Sequence, residues 1–219
     1  MEQKIKKRSN LLRNILFDLY KITDEAYITD NLNMGENLIF GDSQIAGQIG
    51  DALLSKYGGN RVGVGSTGPK DWMPPDIDGA GEGKDFSKIK SFVKLNPNKI
   101  IIGIGGNYTS GINLLLRRLF EATPSSEVIV YGPPAPALVE KDSEVAKKYK
   151  SVFGREYDYE NLHSTRERKS RRIESAVINS DFKNKKFVNT FELTEGYTCE
   201  GSCDAIHLVG EPVNRILGA

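Results

Sequence analysis

Cysteine and histidine are scarce in this chain, with two of each in 219 residues. Two cysteines, Cys199 and Cys203, are too few for a disulfide framework. They also lack the companion ligands of a zinc site, and read as small loop residues with free thiols. Charge of one sign is lacking too: 30 basic against 29 acidic residues leave a net charge of +1. That balance argues against an overall electrostatic commitment to nucleic acid or to an anionic membrane. No apolar run approaches the roughly 18 residues of a membrane span. The basic start is not a secretory signal, because Arg13 and Asp18 interrupt the apolar stretch from Leu11 to Tyr20 and no small-residue cleavage site follows. A cytoplasmic chain is expected. Internal repeats and low-complexity tracts are absent as well.

What is present is an ordinary globular composition, 38% hydrophobic and 27% charged, long enough for one α/β domain with a modest extra piece. Leu12, Ile15, Leu16, Leu19 and Ile22 recur at helical spacing, so residues 8–23 are expected to form an amphipathic helix. This places an N-terminal arm at residues 1–35, available for self-association or attachment to a larger assembly, before a main domain at 36–219. From Glu36 onward strands and helices alternate. Strands are expected over 37–40, 61–64, 99–104, 127–131 and 186–191, and helices over 44–56, 112–120, 143–153, 164–178 and 212–217. A further helix, capped by Asp85, carries Ile89, Phe92, Val93 and Leu95. The continuous isoleucines of 99–104 imply a strand covered on both faces, as in a central parallel sheet. Five strands separated by helices predict a doubly wound α/β layer fold. Ligands of such sheets sit beyond the carboxyl ends of the strands, which directs attention to the loops starting at Gly41, Gly65, Gly105, Gly132 and Thr194.

Three of these places carry chemistry. Ser43 follows the apolar run Leu38-Ile39-Phe40 and Gly41-Asp42. A serine between a strand end and a helix start projects its hydroxyl into the cleft, and its own N–H, in the first helical turn, is free to hold an oxyanion. Asn107, in Gly105-Gly106-Asn107, follows the isoleucine strand, where its amide can donate to developing negative charge. His207, in Asp204-Ala205-Ile206-His207, can act as general base if Asp204 holds its other ring nitrogen. His163 has no such setting and reads as a residue flanking a helix.

Taken together, Phe40-Gly41-Asp42-Ser43, Gly105-Gly106-Asn107 and Asp204-Ala205-Ile206-His207-Leu208 resemble, in order and spacing, the conserved blocks of the SGNH hydrolases, a branch of the GDSL esterases. The resemblance implies a three-layer, flavodoxin-like sandwich around a mostly parallel five-stranded sheet. It implies Ser43 as nucleophile, with Asp204 and His207 completing the triad. The oxyanion hole would comprise the N–H of Ser43, the amide of Asn107 and a second backbone N–H. Register with the family places Ser66 where its second block has glycine, with Gly65 and Gly68 as alternatives. Tyr108 stands where the third block has an Asp that braces the loop. No metal or organic cofactor is implied. The expected substrate is a small ester, first of all an O-acetyl ester on carbohydrate; such enzymes also occur in phage particles, so a place in a phage particle is the alternative to a cytoplasmic one.

Other features are read more plainly. Asp76-Ile77-Asp78-Gly79 lacks the full ligand spacing of a calcium loop and is expected as a flexible acidic loop. Trp72, Met73, Pro74 and Pro75 either line the cleft or pack. The run Arg166, Arg168, Lys169, Arg171, Arg172 is expected to be one solvated helix face, and Tyr157 and Tyr159 offer rings for stacking on a sugar or base. Two rival readings are a non-catalytic module that keeps the fold, and a nucleotide binder using residues 63–68. The second lacks a P-loop ending and leaves Asp204 and His207 without a role.

Overall fold

A computed structural model describes residues 27–28, 36–76, 78–199 and 205–219. Six strands form one sheet: β1 Tyr27–Ile28, β2 Leu38–Gly41, β3 Asn60–Gly63, β4 Lys99–Gly103, β5 Glu127–Tyr131 and β6 Lys185–Val188, in the order β1-β3-β2-β4-β5-β6. Strands β2 to β6 run parallel, and the two-residue β1 pairs antiparallel with β3 at the edge. The helices are α1 Ser43–Ala46, α2 Gln48–Tyr57, α3 Lys90–Lys94, α4 Ile112–Ala122, α5 Glu144–Phe153, α6 Tyr159–Ile178, α7 Thr190–Thr194 and α8 Glu211–Gly218. This is an α/β fold with helices on both faces of a parallel sheet. The helix expected over 8–23 lies outside the described residues.

Alternation along the central strands explains the two faces. Leu38, Phe40, Ile100, Ile102, Val128 and Val130 enter one core with Trp72, Leu115, Leu119 and Ile173. Ile39, Ile101, Ile129 and Tyr131 enter the other with Ile45, Leu53, Val145 and Ile216. Both faces being covered, these strands read as continuous apolar runs.

Several boundaries differ from expectation for identifiable reasons. The helix expected over 44–56 is two, because Gly47 takes an extended conformation between α1 and α2. Asp85 does not cap with its side chain; it takes an ion pair with Lys88 at 2.7 Å, and a short 3-10 turn precedes α3. Helix α6 begins at Tyr159, not Ser164, because the Asp158 carboxylate caps it by accepting from the Asn161 N–H. The fifth parallel strand ends at Val188, where Asn189 caps α7.

The carboxyl ends of β3, β2 and β4 carry glycines in register, Gly63 beside Gly41 and Gly41 beside Gly103. Helix α1 lies against this row. A Cβ on Gly41 would stand 1.9 Å from the Gly103 carbonyl oxygen, and one on Gly63 would stand 2.3 Å from the Ala46 nitrogen. The absence of side chains there is what lets α1 sit directly on the strand ends.

Candidate active site

Ser43 opens α1 from the tip of β2. Asp42, 1% exposed, organises the junction. One carboxylate oxygen caps the helix by accepting from the Gln44 N–H at 3.0 Å, and the other accepts the Gly106 N–H at 3.1 Å. One side chain thus ties the loop after β2 to the loop after β4. Burial raises the Asp42 pKa above the usual carboxylate value, while those two N–H groups, Arg166 and His207 pull it back down.

His207 reaches the same place from the far end of the chain. Its Nε2 lies 2.8 Å from the Ser43 Oγ, hydrogen-bond distance for a nucleophile and its base. Gln44 positions the loop: its side-chain amide donates at 3.0 Å to the carbonyl of Ile206, next to His207. The Gln48 side chain accepts the Gly210 N–H at 3.2 Å, and the Ala205 carbonyl accepts from the Ala137 N–H at 3.0 Å. Sequence reading missed Gln44 and Gln48, although both fall within five residues of the serine. Gln44→Leu is expected to leave the Ile206 carbonyl without this donor, costing about 1–3 kcal/mol, and to lower kcat by loosening His207. Thermal melts and steady-state kinetics read both. Asp204 lies outside the described residues.

The other oxyanion candidates lie on the loops after β3 and β4. Gly105 has φ +117, a left-handed value that suits glycine, and turns the chain sharply after β4. Asn107 follows, its amide donating one proton to the Thr67 carbonyl at 3.0 Å. An amide nitrogen carries two, so one remains for a ligand. The loop after β3 holds Ser66 at φ 59, a conformation that favours glycine. The Gly68 N–H, the other candidate on this loop besides Gly65, donates to the Asp71 carboxylate at 2.8 Å. Among the described residues the N–H groups of Ser43 and Ser66 donate to nothing.

Tyr108 braces this arrangement in its own way. Its ring lies against Gly68, where a Cβ would come within 2.5 Å, and its hydroxyl donates to Asp71. Burial and the Asp71 carboxylate push the phenol up to about 12. The tyrosine therefore joins the second and third loops.

Other expectations are corrected by the structure. The basic run on α6 is not one solvated face. Arg166, one turn before the buried Ser170, is 4% exposed and donates to the Pro134 carbonyl at 2.8 Å. Lys169 is half-buried, and Arg168, Arg171 and Arg172 are exposed. Asp76 is held by Arg118, whose guanidinium also donates to the carbonyls of Pro74 and Gly81 at 2.8 and 2.9 Å. An arginine thus supplies the cation of that acidic loop. Trp72 packs rather than lining the cleft: it is fully buried, its ring 5.2 Å from that of Phe40. The hydroxyl of Tyr157 donates to the Ala137 carbonyl, and its ring packs edge-on against Tyr149. His163 sits within α6, not at its flank, with Nε2 2.9 Å from the Glu195 carboxylate and its ring against Phe191. Cys199 is disulfide-bonded, not free; two cysteines exclude a framework of bridges but not one bridge. Cys203 lies outside the described residues.

Among the described residues no three His, Cys, Asp or Glu side chains gather as a metal ion would require, and no helix is long and apolar enough to cross a membrane. A recess of about 460 Å³ lined by Asn113, Arg117, Arg172, Ser175, Asn179 and Asp181 contains none of the site residues. The contact between Ser43 and His207 lies elsewhere, at the carboxyl end of β2.

No family model matches the sequence, and no curated protein matches it either. Solved structures are similar in fold. The periplasmic domain of the lipopolysaccharide acetyltransferase of Salmonella ser. Paratyphi A superposes with a TM-score of 0.52 at 15% identity, covering 85% of this chain and 82% of that one. A Streptococcus pneumonia protein described as a platelet activating factor gives 0.52 at 16% identity over 98% and 92%. A carbohydrate acetylesterase from Sinorhizobium meliloti gives 0.48 at 15% identity over 83% and 94%. At these identities the first two likenesses establish a shared α/β fold and nothing further.

Proposed function

We propose that the protein is a serine esterase of the SGNH type that removes small acyl groups, O-acetyl above all, from carbohydrate. The observation that carries this reading is the 2.8 Å contact between His207 Nε2 and Ser43 Oγ, made across 164 positions of sequence. In the proposed reaction His207, neutral, takes the Ser43 proton as Oγ attacks the ester carbonyl carbon. The carbonyl π electrons move to oxygen, and that oxyanion is held by the N–H groups of Ser43 and Ser66 and by the Asn107 amide. The intermediate collapses as His207 returns the proton to the leaving alcohol, giving an acyl-serine. Water, deprotonated by the same histidine, then releases the acid and restores Ser43. Asp204 is assigned to hold the imidazole tautomer and favour its charged form. The steps need no cofactor. The acetyltransferase domain that shares the fold handles the same acyl group, which supports acetyl as the first choice.

The direct test is a fluorophosphonate probe with peptide mapping, alongside hydrolysis of short p-nitrophenyl esters and of acetylated oligosaccharides. Labelling at Ser43 with acetate release is expected; a protein inert to both would return the chain to the non-catalytic alternative. Asn107→Ala is expected to lower kcat by about 10²–10³ with KM nearly unchanged, since an oxyanion donor acts in the transition state. A rise in KM alone would give Asn107 a substrate-binding role instead.

A further inference from the structure

Lys169 is absent from the machinery described so far, yet its ammonium lies against the loop that bears the oxyanion side chain. From α6 its Nζ donates to the carbonyl of Gly106 at 2.9 Å and to the carbonyl of Asn107 at 2.7 Å. The Gly106 N–H, on the opposite side of the same residue, is held by the Asp42 carboxylate. The residue before Asn107 is thereby gripped from both sides, by an anion at its N–H and a cation at its carbonyl. A surface lysine ordinarily keeps its head group in water. This one gives two donors to carbonyls at a strand end, while Asn107 itself is turned by its bond to Thr67.

We propose that Lys169 is a positioning residue of the oxyanion hole, clamping the Gly106–Asn107 backbone and placing a positive charge behind the oxyanion. The inference rests on the esterase reading above and deepens it. A charge at that position stabilises negative charge that develops on the substrate oxygen, while the two hydrogen bonds fix the direction of the Asn107 amide. The two contributions separate on titration: a neutral amine still donates to carbonyls, but its charge is gone. Burial lowers the Lys169 pKa, and the cations Arg166, Arg155 and Arg168 lower it further, against the opposing pull of Asp42. On the loop it clamps, the nearest titrating group is the Tyr108 phenol, held up at about 12. The charge is therefore lost at lower pH than that of an ordinary lysine, before Tyr108 ionises.

The test compares Lys169→Met, Lys169→Arg and, as a control for loss of a surface cation, Arg172→Met. Misplacement of a donor by about an ångström lowers rate on the order of 10²-fold, so Lys169→Met is expected to reduce kcat by about 10- to 100-fold with KM held. Lys169→Arg keeps a charge and two donors, so it should recover most of that loss. It should also remove the alkaline fall in kcat expected of the wild type, because a guanidinium does not deprotonate there. Arg172→Met should match the wild type. A Lys169→Met enzyme within twofold of wild type, or an alkaline limb unchanged in Lys169→Arg, overturns the proposal. Should the wild type hydrolyse no ester and Ser43 resist the probe, the esterase reading fails, and the clamp is read by amide hydrogen exchange. Faster exchange at the Gly106 N–H in Lys169→Met then supports it, and unchanged exchange overturns it.

Discussion

Ser43→Ala is expected to cut ester turnover by about 10⁴-fold or more, because removing the nucleophile of such a triad leaves only binding and the oxyanion donors. The fold should not notice. Ser43 is partly exposed, and its hydroxyl contacts His207, whose loop is also tied down at Ile206 by Gln44 and at Gly210 by Gln48. A shift in melting temperature of no more than ~2 °C is expected. His207→Ala should match it in turnover, and the covalent probe should fail on the serine variant. His163→Ala should retain wild-type activity, since its ring nitrogen is engaged with Glu195. If His163→Ala is the inactive variant and His207→Ala is not, the assignment of the base is wrong.

Gly41→Ala should act in the opposite way, through the fold. The added methyl would stand 1.9 Å from a backbone oxygen of the neighbouring strand and 2.7 Å from the Ile45 side chain. A backbone oxygen cannot swing aside as a flexible side chain does, so β2, β4 or α1 must move. A cost of about 3 kcal/mol or more is expected, corresponding to a fall in melting temperature of roughly 6–12 °C for a chain of this size. Activity should fall with it even below the melting transition, because α1 carries Ser43. Gly65→Ala is the matched control. A Cβ there meets nothing within 4 Å, so stability should stay within about 0.5 kcal/mol. Equal melting curves for the two variants would remove the glycine row from the account of how α1 is seated.

The strands were legible because burial on both faces writes itself as unbroken isoleucine and valine. The reading at 99–104 and 127–131 matches β4 and β5 to within a residue. The short edge strand β1 was not legible: two residues have no periodicity to read, and their place is set by pairing with β3. Ser43 and His207 were found from local motifs, and the structure brings them together. What local motifs could not show is support from elsewhere in the chain. Asp42 looks like an ordinary helix cap until Gly106 arrives 64 positions later. Lys169 belongs to a basic run whose members differ only in which side of α6 faces inward. Arg166 and Lys169 are three apart, hence on one face, and the inward turn of that face is fixed by Ser170 and Ile173 packing on the sheet. Cys199 was misread for a related reason, since pairing depends on how a loop closes and not on how many thiols a sequence holds.

The contact between Ser43 and His207 also bears on when the protein becomes competent. Bringing together positions 164 apart carries a closure entropy whose length-dependent part is about 4.5 kcal/mol. Contacts of such separation raise contact order, and they form only once the intervening strands have assembled. No fragment ending before residue 207 can hold both groups. Recovered turnover after dilution from denaturant is therefore a clock for the last long-range closure, whereas far-ultraviolet dichroism or the emission of Trp72, buried in the first half of the chain, can return sooner. A lag between those signals measures how long the chain lives as a folded sheet without a reactive serine.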